Sequence, residues 1–154
     1  MSEIADLLPK DAPEVHFQLV ATWLSLNTER APGHADFDVG KWTSNQHECF
    51  LVHQLSTDGG PLKLQFGEAT ELSFIPKGAD VSGKCLSDVL DRFLLEKAEN
   101  AFRNCLRRNE PYYSEHISSQ FGRGQAHFKR LSLPLANENG TLRSAFGSIV
   151  RIQS

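Results

Sequence analysis

The chain has 154 residues, of which 40% are hydrophobic and 23% charged, and a formal net charge of −3. That length fits one domain with room for a real core, and the composition excludes a disordered chain. The balance is slightly acidic and there is no basic stripe, so the electrostatic footprint of a nucleic-acid binder is missing.

The N-terminus, "MSEIADLLPKD", carries acids and no long apolar run, which excludes a secretory signal. No stretch reaches the roughly 18 apolar residues that span a bilayer, so no membrane insertion is expected. The three cysteines, Cys49, Cys85 and Cys105, are odd in number and far apart. They suit a reducing compartment better than a disulfide framework or a zinc site. Together these features read as a cytoplasmic protein.

Asp11 to Asn27 has helical spacing, with Val15, Leu19, Trp23 and Leu26 on one face. Asp11 and Glu14 are placed for a reciprocal capping pair. Phe17, Val20 and Leu24 form a second apolar face, open either to intramolecular cover or to another copy of the chain. Ala31 to Lys41 is loop-like. Cys49–Leu55 reads as a strand, "STDGGP" as a turn, and Leu62, Leu64 and Phe66 alternate with Lys63 and Gln65 as in a half-buried strand. "GEATELSFI" reads as a short helix ending before Pro76-Lys77-Gly78. Ser87 to Arg108 is the longest helical segment, with Ser87 as N-cap and Leu90, Leu94, Ala98, Ala101 and Cys105 in one stripe. Phe93 and Phe102 lie alongside, and Asn109 with Pro111 marks the stop. Three strands follow: "YYSEHISSQF", "HFKRLSLPL" and "TLRSAFGSIVRI". Leu131, Leu133 and Leu135 share one face, as do Leu142, Phe146 and Val150. The helical block between the second and third strands must cross from one side of an antiparallel sheet to the other.

Strand, strand, helices, long helix and three strands is the element order of the PAS sensory domain. Four motifs extend the resemblance, to the alphaproteobacterial PAS_5 family. After a helix with Trp23 comes "APGHADFDVGKW", with Asp36, Phe37 and Asp38. "QFGEATELSF" follows, then "KGADVSGKCLSDVL" with Asp80, Gly83, Leu86 and Asp88. Last is "RLSLPLANENGTL" with Leu133, Pro134, Leu135 and Gly140. The chain departs from the pattern at His34, Val39 and Ser82. The resemblance implies an α+β, PAS-like fold: a five-stranded antiparallel sheet with helices on one face and an N-terminal helix. Residues 1–28 are read as N-terminal tail and helix, and 29–154 as the sensory domain. Independently of the family, Gly83 suits a turn that other residues avoid, and Pro134 suits a strand edge, end or bulge.

Chemistry-bearing patterns are sparse. His34-x-Asp36-x-Asp38 has donors for a metal, but ordinary turn capping explains the aspartates. Ser114, Glu115 and His116 alternate across a strand and cannot converge as a triad. "GRGQAH" lacks the lysine and helix of a phosphate loop. The long helix carries no histidine for haem, which leaves His116 and His127 on the strands for that role; Cys85 sits in "GKCLSD", not in a flavin-adduct motif, and reads as a small buried apolar residue. No cofactor is named by the sequence.

A cavity between the long helix and the sheet is one expectation, with Phe93 and Phe102 on one wall and Leu133 and Phe146 on the other. Ser144 and Ser148 would orient a small ligand there. A filled core satisfies the same periodicity. The functional expectation is a stand-alone signalling sensor or adaptor without catalysis, working through a small-molecule ligand and a signalling protein in trans. A homodimer formed through Phe17 and Leu24 is the expected self-association. The alternative is a cone-shaped α+β enzyme or carrier of the ketosteroid-isomerase type, with Glu68 or Glu115 as base.

Overall fold

The computed structural model describes residues 4–27, 32–37, 39–42, 47–55, 62–69, 80–118, 126–136 and 142–152. Two helices, α1 (Ile4–Leu7) and α2 (Glu14–Leu26), precede a 3-10 turn at His34–Asp36 and a short helix α3 (Val39–Trp42). Strands β1 (His47–Gln54) and β2 (Leu64–Ala69) lead to α4 (Leu86–Val89) and α5 (Arg92–Arg108). Strands β3 (Tyr112–Ser118), β4 (Ala126–Ala136) and β5 (Leu142–Ile152) complete the order. The turn "STDGGP", the segment 70–79, "GRG" and the Asn137–Gly140 turn lie outside the described residues.

All five strands form one antiparallel sheet in the order β2-β1-β5-β4-β3. The two edges, β2 and β3, are consecutive in the chain, so the helical block does cross the sheet as the strand count requires. The α+β class and the five-stranded antiparallel sheet therefore hold.

Both faces of this sheet are covered, not one. Strand alternation sends Phe50, Val52, Leu64, Phe66, Phe128, Ala145 and Ile149 to the side of α4 and α5, where they meet Leu86, Phe102 and Cys105. The opposite phase sends Cys49, Leu51, Leu131, Leu133, Leu135 and Phe146 under α2, against Leu19, Val20 and Trp23. Leu8, Ala12 and Phe37 close that second core. The leucine stripe of β4 and Phe146 thus face the N-terminal helix, correcting the expectation that they face the long helix. An isolated helix of 13 residues is marginal in water. Docking is what stabilises α2, at about 1.5–3 kcal/mol for each large apolar side chain fully buried.

Several local expectations change. The N-cap of α2 is Pro13, without a side-chain cap, instead of Asp11. A proline disfavours helical backbone in the residue before it, so Ala12 cannot continue a helix begun at Asp11. Asp11 turns to Lys129 instead: its carbonyl accepts from Nζ at 2.7 Å and its carboxylate lies 3.6 Å away. The long helix breaks at Leu90, which is extended (ψ 144°), and restarts at Arg92. Asp91 supplies the N-cap, accepting from the backbone N–H of Leu94 at 2.9 Å, in place of Ser87. Asn109 ends α5 in the left-handed conformation, as a terminal asparagine should. Gly67 to Ala69, shared by the strand "LKLQFGEA" and the following helix in the sequence reading, belong to β2. Gly83 has φ +82° and its N–H donates to the Phe66 carbonyl, the turn its position asks for. Pro134 lies past the last β3–β4 pair, Tyr112 with Ser132, and just before a bulge at Leu135/Ala136.

Candidate ligand-binding pocket

A cavity of about 30 Å³ lies between the sheet and the α4–α5 region, partly open to solvent. Its floor comes from four strands: Phe50 of β1, Phe66 of β2, Phe128 and Arg130 of β4, and Ile149 of β5. His116 of β3 stands at one side, and Leu86, Leu90, Leu94 and Ala98 form the helical wall. A smaller void of about 10 Å³ shares Phe50, Leu86, Ala98 and Arg130 and adds Phe102, Ser132 and Gly147. Leu90, where α4 ends and before α5 begins, is itself part of this wall.

Gly147 sets the position of the Phe50 ring. The two residues are paired across β1 and β5, and the ring of Phe50 lies over the bare glycine backbone. A side chain there would occupy the same space.

Arg130 is the unusual member of the lining. Its residue is only 8% exposed. Among the described residues, no carboxylate or hydrogen-bond acceptor pairs with its guanidinium. Burial pushes its pKa down to about 10, partly opposed by the nearby Tyr112 hydroxyl. It stays cationic at neutral pH all the same. His116 stacks on Phe128, with ring centroids 5.3 Å apart. Burial first, and then the positive charges of Arg130, Lys97 and His127, lower the His116 pKa to about 4. The imidazole is therefore neutral at pH 7. A neutral ring, a buried cation and an otherwise apolar wall can recognise charge and shape; among the described lining residues no nucleophile–base pair faces the space.

The residues expected to line one pocket are divided by the sheet. Phe102 borders the smaller void, and Phe93 is 39% exposed, with Lys97 Nζ 5.6 Å from its ring centre. Leu133, Ser144, Phe146 and Ser148 lie on the other face, beneath α2. The two serines have structural partners there: Ser148 shares a 2.8 Å hydrogen bond with His16 Nε2, and Ser144 a 2.7 Å one with His53 Nδ1. Phe17 and Leu24 are half-buried and pack on the α2-side core. Glu68 and Glu115 do not line the cavity; Glu115 accepts from or pairs with His127 Nε2 at 3.0 Å. Asp36 accepts from the Gly33 backbone N–H, the turn chemistry anticipated for it, while Asp38 lies outside the described residues. Cys85 is half-buried instead of buried, at the N-cap of α4.

Sequence reasoning missed Arg130, and weighed His116 only as part of a triad and as a strand-borne haem ligand, not as lining this space. The available signal was phase. In "FKRLSLPL", Arg130 alternates against Leu131 and Leu133, so it must point into whatever covers the other face. Comparison of the chain with protein-family models, with curated proteins and with solved structures finds no match.

Proposed function

We propose that this chain is a PAS-like sensory or adaptor module of bacterial signalling, working in the cytoplasm. It binds a small ligand between α5 and the sheet, passes the signal to a protein partner or a second copy of itself, and catalyses no reaction. One observation carries the reading: between the crossing helical block and the sheet lies an apolar pocket whose described lining includes the buried cation Arg130. The element order, two strands, helices, long helix and three strands, supports the resemblance to PAS domains. The placement of Glu68 and Glu115 away from the cavity favours this reading over an isomerase-like one.

Native mass spectrometry with an absorption spectrum of freshly purified protein tests it. The expected result is a small non-covalent adduct or, on adding ligand candidates, saturable binding; turnover lost in Glu68→Gln or Glu115→Gln variants would overturn it. For self-association, sedimentation of a Phe17→Glu, Leu24→Glu variant should shift a wild-type dimer to monomer. A monomeric wild type or an unchanged dimer sinks that part.

A further inference from the structure

We infer that the pocket between α5 and the sheet takes a small organic monocarboxylate, its carboxylate held by Arg130 and its apolar body by Phe50, Phe66 and Phe128. The inference rests on the ligand-binding reading above and adds the ligand's chemical class.

Two adjacent cations on β4 make the contrast. Lys129 faces α2 and is 8% exposed, and the chain supplies its partners: the Asp11 carbonyl at 2.7 Å, the Asp11 carboxylate at 3.6 Å and Glu115 at 3.9 Å. Arg130 faces α5 and is equally buried, yet the described residues offer its guanidinium no anion. A buried charge without a counter-charge is costly, and Arg130 borders both voids, where an anion can reach it. A guanidinium presents two parallel N–H groups that match the two oxygens of a carboxylate.

The rest of the lining narrows the class. Among the described residues no acidic side chain borders the cavity, so none of them offers a partner to an ammonium group and amino acids fit poorly. A phosphate would need more donors than one guanidinium beside a neutral imidazole. The enclosed space of about 30 Å³ is smaller than a whole carboxylate of this kind, so only a short or flat apolar body is accommodated, part of it in the open mouth of the pocket. Lys97, exposed on α5, adds same-sign potential near His116 and steers an anion inward.

The test uses the full chain, calorimetric titration and thermal melts. The probes are butanoate and benzoate, each with its uncharged amide, butanamide and benzamide. The wild type should bind a carboxylate saturably and its amide more weakly. The Arg130→Met variant should lose roughly tenfold or more in carboxylate affinity, as expected for a charged hydrogen-bonded pair, with amide binding unchanged. It should also melt at or above the wild-type temperature, since no internal ion pair is broken. Equal affinity for carboxylate and amide, or full carboxylate affinity in Arg130→Met, overturns the inference and leaves a neutral-ligand pocket standing. A sharp fall in melting temperature for Arg130→Met overturns it too, because the guanidinium then has a partner within the chain. So does the failure of all probes to bind; the broader sensor reading falls only if native mass spectrometry also finds no adduct.

Discussion

The indole Nε1 of Trp23 donates to the carbonyl oxygen of Pro134 at 2.9 Å, within the buried contact between α2 and β4. It fixes α2 at the point where β4 has passed the end of its pairing with β3. Trp23 is 1% exposed, so its loss is felt as both a hydrogen bond and a void. Trp23→Phe should destabilise the fold by about 2 kcal/mol. Urea unfolding measures this, and a change under half of that would mean α2 is held without the indole.

A second prediction concerns Gly147. An added Cβ would come within 2.8 Å of three ring carbons of Phe50. Overpacking of this kind costs about 1–3 kcal/mol. Gly147→Ala should therefore lower stability and shift Phe50 into the cavity, weakening ligand binding. Combining it with Phe50→Leu should recover part of the loss, and strict additivity of the two changes would contradict the contact.

The pH dependence follows from His116. In the folded chain its pKa is lowered to about 4, chiefly by burial and then by Arg130, Lys97 and His127, against 6.5 when free. Between these values the unfolded chain binds a proton that the folded chain refuses. Stability is therefore full above about pH 6.5 and falls as pH drops towards 4, by about 2 kcal/mol after allowance for partial exposure. Denaturation midpoints from pH 7 to 4 should slope less in His116→Gln. An anion bound at Arg130 should raise the His116 pKa, and a histidine ring-proton titration by NMR reads that shift directly.

Thiol reactivity separates the cysteines. Burial pushes Cys49 and Cys105 up to about 12, with Glu48 adding to the effect at Cys49. Cys85 is half-buried and outside both cores. Iodoacetamide at pH 8 should label Cys85 first, and the other two only on unfolding. Peptide mapping after short exposure checks this; early labelling of Cys105 would mean α5 opens readily.

The helix restart at Asp91 is testable as a cap. Asp91→Ala removes the acceptor for the Leu94 N–H and should cost about 1 kcal/mol, whereas Ser87→Ala should change little. A larger effect at Ser87 would restore a single continuous helix.

Much of the local structure was legible in the residues. The strands were read from alternation, the helix stop from Asn109, and the turn from Gly83, because each depends on a few neighbouring residues. The errors arose where one local signal outranked another. Ser87 and Asp91 are both residue types that cap helices, but Ser87 lies within α4 and Asp91 is the one that starts α5. Asp11 and Glu14 have capping spacing, but Pro13 stands between them.

The sequence by itself determined element types, their order, and which residues of each strand share a phase. It also required the block between β2 and β3 to cross the sheet. Only the tertiary structure decided what each phase meets. Alternation states that Arg130 and Leu131 point oppositely, but both directions are buried here, because α2 covers one face and α5 the other. Burial by a partner distant in sequence leaves no periodic mark in the strand itself. That is why the leucines were assigned to the wrong helix, and why Arg130 beside the cavity went unremarked.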